Sequence, residues 1–244
     1  GAMVTDRYQH VRHHPTVADL LLSVSPALLE KYMSMGRMVA RLAVGNTNLK
    51  PTVEELAPPS LGPGGGGPQR NERVSDDLPF DSRGGFALPY YFPVDAEYDI
   101  VVRLQRDRNE HVEGIAGQHD VEIMLGGERL KLVTVRPPGP GADHSGVDKD
   151  LNIRVAVKAG PHVVAATLPK KISSLLETGR QPYQAHFNMD RHPRITPAVY
   201  SISVNGPYNA KGPGDTPSRR RIFVCQPAKA NEEEACAKRI FATL

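Results

Sequence analysis

The residues of this 244-residue chain with the most chemical reach are two cysteines and a run of closely spaced aspartates. Cys225 and Cys236 lie in the stretch CQPAKANEEEACAKRIFATL. A c-type haem attachment needs Cys-x-x-Cys-His and a thioredoxin-like site needs Cys-x-x-Cys; neither spacing occurs. A structural zinc site takes four ligands, and two cysteines without a close histidine do not supply them. Two states stay open. A disulfide would close a short loop and stabilise by roughly 3 kcal/mol in a chain-entropy account. The alternative is a pair of free buried thiols. The disulfide implies an oxidising compartment.

The stretch ADHSGVDKDLNI sets Asp143, Asp148 and Asp150 in one glycine-containing loop. Hard cations such as calcium gather carboxylate and carbonyl oxygens, and a loop of this kind can wrap them around an ion. Glu113, in QRDRNEHVEGIAGQHD, offers a further carboxylate. The spacing is not that of an EF-hand, and aspartates equally form turns, so calcium and turn formation are both carried forward. His111 and His119 flank one loop, and His186 and His192 another, without the helical pairing a transition-metal site uses. Ser145 and Ser201 lack a Gly-x-Ser-x-Gly setting. Nothing marks a pair of carboxylates for glycoside hydrolysis, so the chain is expected to be non-catalytic. With no Trp, a platform for sugar rings must use tyrosine: Tyr90, Tyr91 and Tyr208 are the candidates.

These side chains have to be positioned by elements that the pattern predicts. Hydrophobic residues make up 39% of the chain, enough for a core, while 22 Gly and 22 Pro give loops a large share. A net charge of +3 is too weak to argue for nucleic acid. No apolar run is long enough to span a membrane. Residues 1–3, Gly-Ala-Met, read as the scar of a cleaved tag, so the absence of a leader says nothing of compartment. Residues 4–56 read as a helical hairpin. PTVADLLLS supplies a short helix. Ser25-Pro26 then starts a longer one, with Leu28, Leu29, Tyr32, Met35, Val39 and Leu42 at helical spacing and Gly45 as the stop. Such a hairpin cannot bury its own apolar face and must dock on something. Residues 57–72, with four glycines between prolines, read as a linker.

From residue 73 to 224 the period is two. GGFALPYYF and EYDIVVRL read as strands. HDVEIML-GG-ERLKLVTV reads as a hairpin turning at Gly126-Gly127. LNIRVAV-KAG-PHVVAATL reads as a second hairpin, and TPAVYSISVNGPY and RRIFVC as closing strands, with Arg219–Arg221 as a charged strand edge. This series predicts a mainly β fold, an antiparallel β-sandwich. Residues 225–244 read as the start of a following helical domain, with Glu232, Glu233 and Glu234 suited to a first helical turn.

Three stretches carry a resemblance. VSPALLEKYMSMGRMVARLAVG is similar to a helical domain of unknown function in planctomycete- and acidobacteria-type multidomain cytochrome c proteins. The run from GGFALPYYFPVDAEYDIVVRLQR through LNIRVAVKAGPHVVAATL resembles the module that follows it there. ITPAVYSISVNGPYNAKGPGDTPSRRRIFVCQPA with EEACAKRIFATL resembles the passage into the next helical domain. The resemblance implies an exported parent protein, periplasmic or extracellular, whose haem lies outside this chain, which has no Cys-x-x-Cys-His. It implies a jelly-roll sandwich akin to calcium-dependent xylan-binding modules, hence a polysaccharide partner, calcium as the expected cofactor, and the neighbouring domains of the parent as further partners. The alternative is a structural module that packs those domains together.

Overall fold

The computed structural model describes residues 25–46, 48–58, 74–169 and 196–243. The chain divides into two compact units, residues 1–43 and 44–244. In the first, helix α1 (Pro26–Val44) begins as its sequence dictates. Ser25 Oγ accepts from the Leu28 N–H at 3.2 Å, and Pro26 fills the first helical position, where a missing N–H costs nothing. Gly45, at φ +86°, ends it. No residue of α1 is buried. The expected companion helix over PTVADLLLS and most of the 57–72 linker lie outside the described residues.

The described residues of the second unit hold eight strands: β1 (Thr52–Leu56), β2 (Ser82–Phe92), β3 (Asp95–Leu104), β4 (His119–Leu125), β5 (Glu128–Val135), β6 (Asn152–Val157), β7 (Gly160–Pro169) and β8 (Val199–Gly212). They form two four-stranded antiparallel sheets, ordered β1-β8-β3-β6 (sheet A) and β2-β7-β4-β5 (sheet B). Only β4 and β5 are sequence neighbours paired within one sheet; every other step crosses to the opposite sheet. That order is the eight-stranded jelly roll. Between the sheets lie Phe92, Tyr98, Ile100, Leu104, Val121, Ile123, Val164, Ile202 and Val204, all essentially inaccessible. Buried Tyr98 donates its hydroxyl to the Val94 carbonyl at 3.0 Å, and Phe92 meets its ring edge-on. Burial pushes the Tyr98 phenol up to about 12. Two short helices follow β8: α2 (Pro217–Ile222) and, after a 3-10 turn (Ala230–Glu232), α3 (Glu233–Thr243).

The fold corrects the sequence in three places. The stretch taken as helical to residue 56 ends at Val44, since β1 pairs with β8 along Thr52↔Gly206 to Leu56↔Ile202. The second expected hairpin is a corner instead. β6 pairs with β3 and β7 with β2 and β4, because Asp95 captures the link between them: Ala159 N–H and Lys158 Nζ donate to its two carboxylate oxygens at 2.8 and 2.7 Å. RRIFVC is not a strand. Thr216 caps α2 by accepting from Arg219 N–H, and Pro217 opens it, so Arg219, Arg220 and Arg221 sit in a helix rather than along a sheet edge. Among the described residues no helix is long and apolar enough to cross a membrane.

Candidate functional site

The three candidate tyrosines are not brought together. Strand alternation turns Tyr90 inward beside Phe92, their ring centroids 4.7 Å apart. Burial first, and then a hydrogen bond with Glu54 of β1, hold its phenol far above the ordinary tyrosine value. Tyr90 therefore spans the gap between the sheets and presents no open ring face. Tyr91 points the other way, onto the outer face of sheet B opposite Pro161, and is 42% exposed. Tyr208 belongs to sheet A, opposite Glu97, where the Arg154 guanidinium covers its ring at 4.4 Å while forking to Asp99 with two 2.7 Å bonds.

The acidic loop is also divided. Asp148 turns inward: one oxygen takes an ion pair from Arg106 Nη2 at 2.8 Å, the other accepts from Leu104 N–H at 3.1 Å, and both ionic side chains are about nine-tenths buried. Arg106 also donates to the carbonyls of Glu110 and His144, and His144 Nδ1 accepts from Val112 N–H. The pair thus ties the β5–β6 loop to the β3–β4 loop. Asp143 is exposed, and its hydrogen bonds from the Ser145 hydroxyl and N–H hold its carboxyl below the usual aspartate range. Asp143 and Asp150 border a hollow of about 240 Å³ with Thr134, Arg136 and Gly146. Glu113 sits in the β3–β4 loop, its N–H donating to the Gln105 carbonyl. Among the described residues no three His, Cys, Asp or Glu side chains are placed to hold one metal ion. Two carboxylates at the hollow fall short of the roughly six to eight oxygens calcium takes. Asp148 is withheld because a guanidinium already occupies the place of a cation.

Cys225 and Cys236 form a disulfide, with Cα atoms 5.8 Å apart. The free-thiol alternative falls, and the bond fits an oxidising compartment.

A larger feature was not foreseen. On the outer face of sheet B lies an open cleft of about 670 Å³, bordered by Asp76, Asp77, Pro79, Pro89, Met124 and Pro161. Its wall is the segment ahead of β2. Ser75 makes a tight turn there, accepting from Asp77 N–H at 3.1 Å through its hydroxyl and from Leu78 N–H at 3.2 Å through its carbonyl. Leu78 is then driven onto Met124 and Ala165 in a small second core, leaving the aspartates at the rim. The Gly126-Gly127 turn, both residues at positive φ, lines the same cleft. Buried Glu122, in the strand alongside, is neutralised by Arg129. In sequence, SDDLPF falls in the 73–224 stretch ahead of the first strand read there; the only hint of the cleft is a leucine isolated among acidic and proline residues.

No protein-family model and no curated protein sequence matches this chain.

Proposed function

We propose that this chain is a non-catalytic glycan-binding module whose site is the cleft on the outer face of sheet B. The observation that carries the reading is the pairing of an apolar strip of Pro79, Pro89, Met124 and Pro161 with two carboxylates at the rim and the exposed Tyr91 ring on the same sheet face, beside Pro89 and Pro161. Sugar rings present an apolar C–H face and a hydroxyl edge; proline and tyrosine surfaces suit the first and carboxylate acceptors the second. Catalysis is disfavoured because Asp76 and Asp77 come from one wall, whereas glycoside hydrolysis needs carboxyl groups flanking the bond. A xylan-like polysaccharide and an exported, haem-containing parent protein are the ligand and setting that the sequence resemblance suggests. Calcium is a further part of what the resemblance suggests, although the Asp143–Asp150 hollow, apart from the cleft, offers two carboxylates alone. A polysaccharide array followed by calorimetry, with and without chelator, tests both parts. Binding indifferent to chelator keeps the glycan and removes the calcium; no binding to any plant or microbial polysaccharide removes the function.

A second reading, a module that packs neighbouring domains, is favoured by α1. Its Leu29, Tyr32, Met35, Val39 and Leu42 are all more than half exposed, an apolar stripe of the kind helices normally cover. Co-purification of α1-containing protein with adjoining domains of the parent, absent for a Tyr32→Glu, Val39→Glu variant, supports it.

A further inference from the structure

We propose that the Cys225–Cys236 disulfide is a redox-controlled tether, so that reduction by a dithiol releases the C-terminal segment while the jelly roll stays folded. The reason is how little else holds that segment. Cys236 is the sole buried residue of α3; Ile240, one turn on, is half-buried, and the rest of the helix is exposed, with Phe241 at 78%. Among the described residues, the hydrogen bonds and ion pair of residues 226–243 close on the segment itself. Ala228 N–H donates to Glu232 Oε2, Glu232 N–H to the Lys229 carbonyl, Lys238 pairs with Glu234, and the Thr243 hydroxyl donates to the carbonyls of Arg239 and Ile240. Among the described residues, the connections back run through Cys225: the covalent bond and a weak Cys225 Sγ contact to the Cys236 carbonyl. Cys225 follows α2, whose N-cap residue Thr216 is buried and whose Arg219 donates to the Val44 carbonyl.

The chemistry balances with a dithiol as reductant. Its thiolate attacks Sγ of Cys225, the less buried of the two residues, and the Cys236 sulfur leaves. The second thiol then closes the reductant into its own disulfide, so that two electrons and two protons arrive as two protein thiols. An 11-residue helix without tertiary support is marginal in water, so α3 frays once the bond is gone. An oxidised dithiol reverses the exchange.

Hydrogen–deuterium exchange on the full chain, with and without dithiothreitol, reads the switch. Amides of 233–243 are expected to lose about a hundredfold in protection on reduction, while β3, β4, β7 and β8 keep theirs. Removal of dithiothreitol and addition of oxidised glutathione are expected to restore α3. A Cys225→Ser, Cys236→Ser variant is expected to show the released state without reductant and the wild-type thermal transition of the sandwich. Unchanged α3 protection in the reduced protein overturns the proposal, as does loss of protection that spreads through the sheets.

Discussion

Tyr91 and Tyr208 are both surface tyrosines on strands, but their surroundings separate them. Tyr208 already has a partner on its ring, the Arg154 guanidinium, whereas Tyr91 lies beside two prolines at the cleft. If the cleft binds sugar, Tyr91→Ala weakens it by about tenfold, the loss of one stacking contact, and Tyr208→Ala leaves the affinity alone. Calorimetry on the two variants decides between the surfaces. The carboxylates make a separate prediction. The hydrogen bonds from Arg154 depress Asp99. Burial works against Asp95, but the bonds from Ala159 N–H and Lys158 prevail and depress it too. Groups held below their unfolded pKa stabilise fully above that value and lose their contribution as the pH falls through the folded one. Denaturation midpoints are therefore expected to hold from neutrality to about pH 5 and fall below about pH 4. Asp99→Asn flattens part of that fall, measured by urea denaturation at several pH values.

At the level of elements, legibility in the sequence followed the range of the deciding contact. The β4–β5 hairpin was readable because Gly126 and Gly127 supply the positive φ its turn needs, within the turn itself. The β6–β7 corner carries a similar Lys-Ala-Gly signal, yet the residue that bends it across the sandwich is Asp95, far back in the chain, and no local pattern announces that. RRIFVC was misread for a different reason. Its β-branched residues suggest a strand, but the Thr216-Pro217 start just ahead of it is a local helix signal that prevails. Removing that signal tests the explanation: Thr216→Ala is expected to cost about 1 kcal/mol and to raise exchange at α2 amides while leaving β8 unaltered. The candidate site was the least legible part. Strand alternation alone separates Tyr90 from Tyr91, but the cleft depends on Leu78 docking across a sheet, a tertiary contact. Leu78→Ala is expected to destabilise by about 2–4 kcal/mol and to abolish glycan binding, because the wall carrying Asp76 and Asp77 loses its anchor.

For the whole molecule, the two units differ in what they bury. The jelly roll buries Phe92, Tyr98, Ile100 and Ile202 entirely within residues 44–244, while no residue of α1 is buried. The alternation of apolar residues made a sandwich legible, but the order in which strands distribute between sheets depends on corners such as the one at Asp95. If stability and ligand binding both reside in the second unit, a chain of residues 44–244 keeps the thermal midpoint of the full chain to within a few degrees and keeps its affinity for glycan. The full chain, with Leu29, Tyr32, Met35, Val39 and Leu42 open to water, self-associates more strongly as concentration rises. Sedimentation velocity and scanning calorimetry on both lengths separate the two readings of function. Glycan binding retained in the shorter chain assigns the activity to the sandwich. A shorter chain that folds yet binds no polysaccharide, beside a full chain that does, places α1 in the site and overturns the assignment to sheet B.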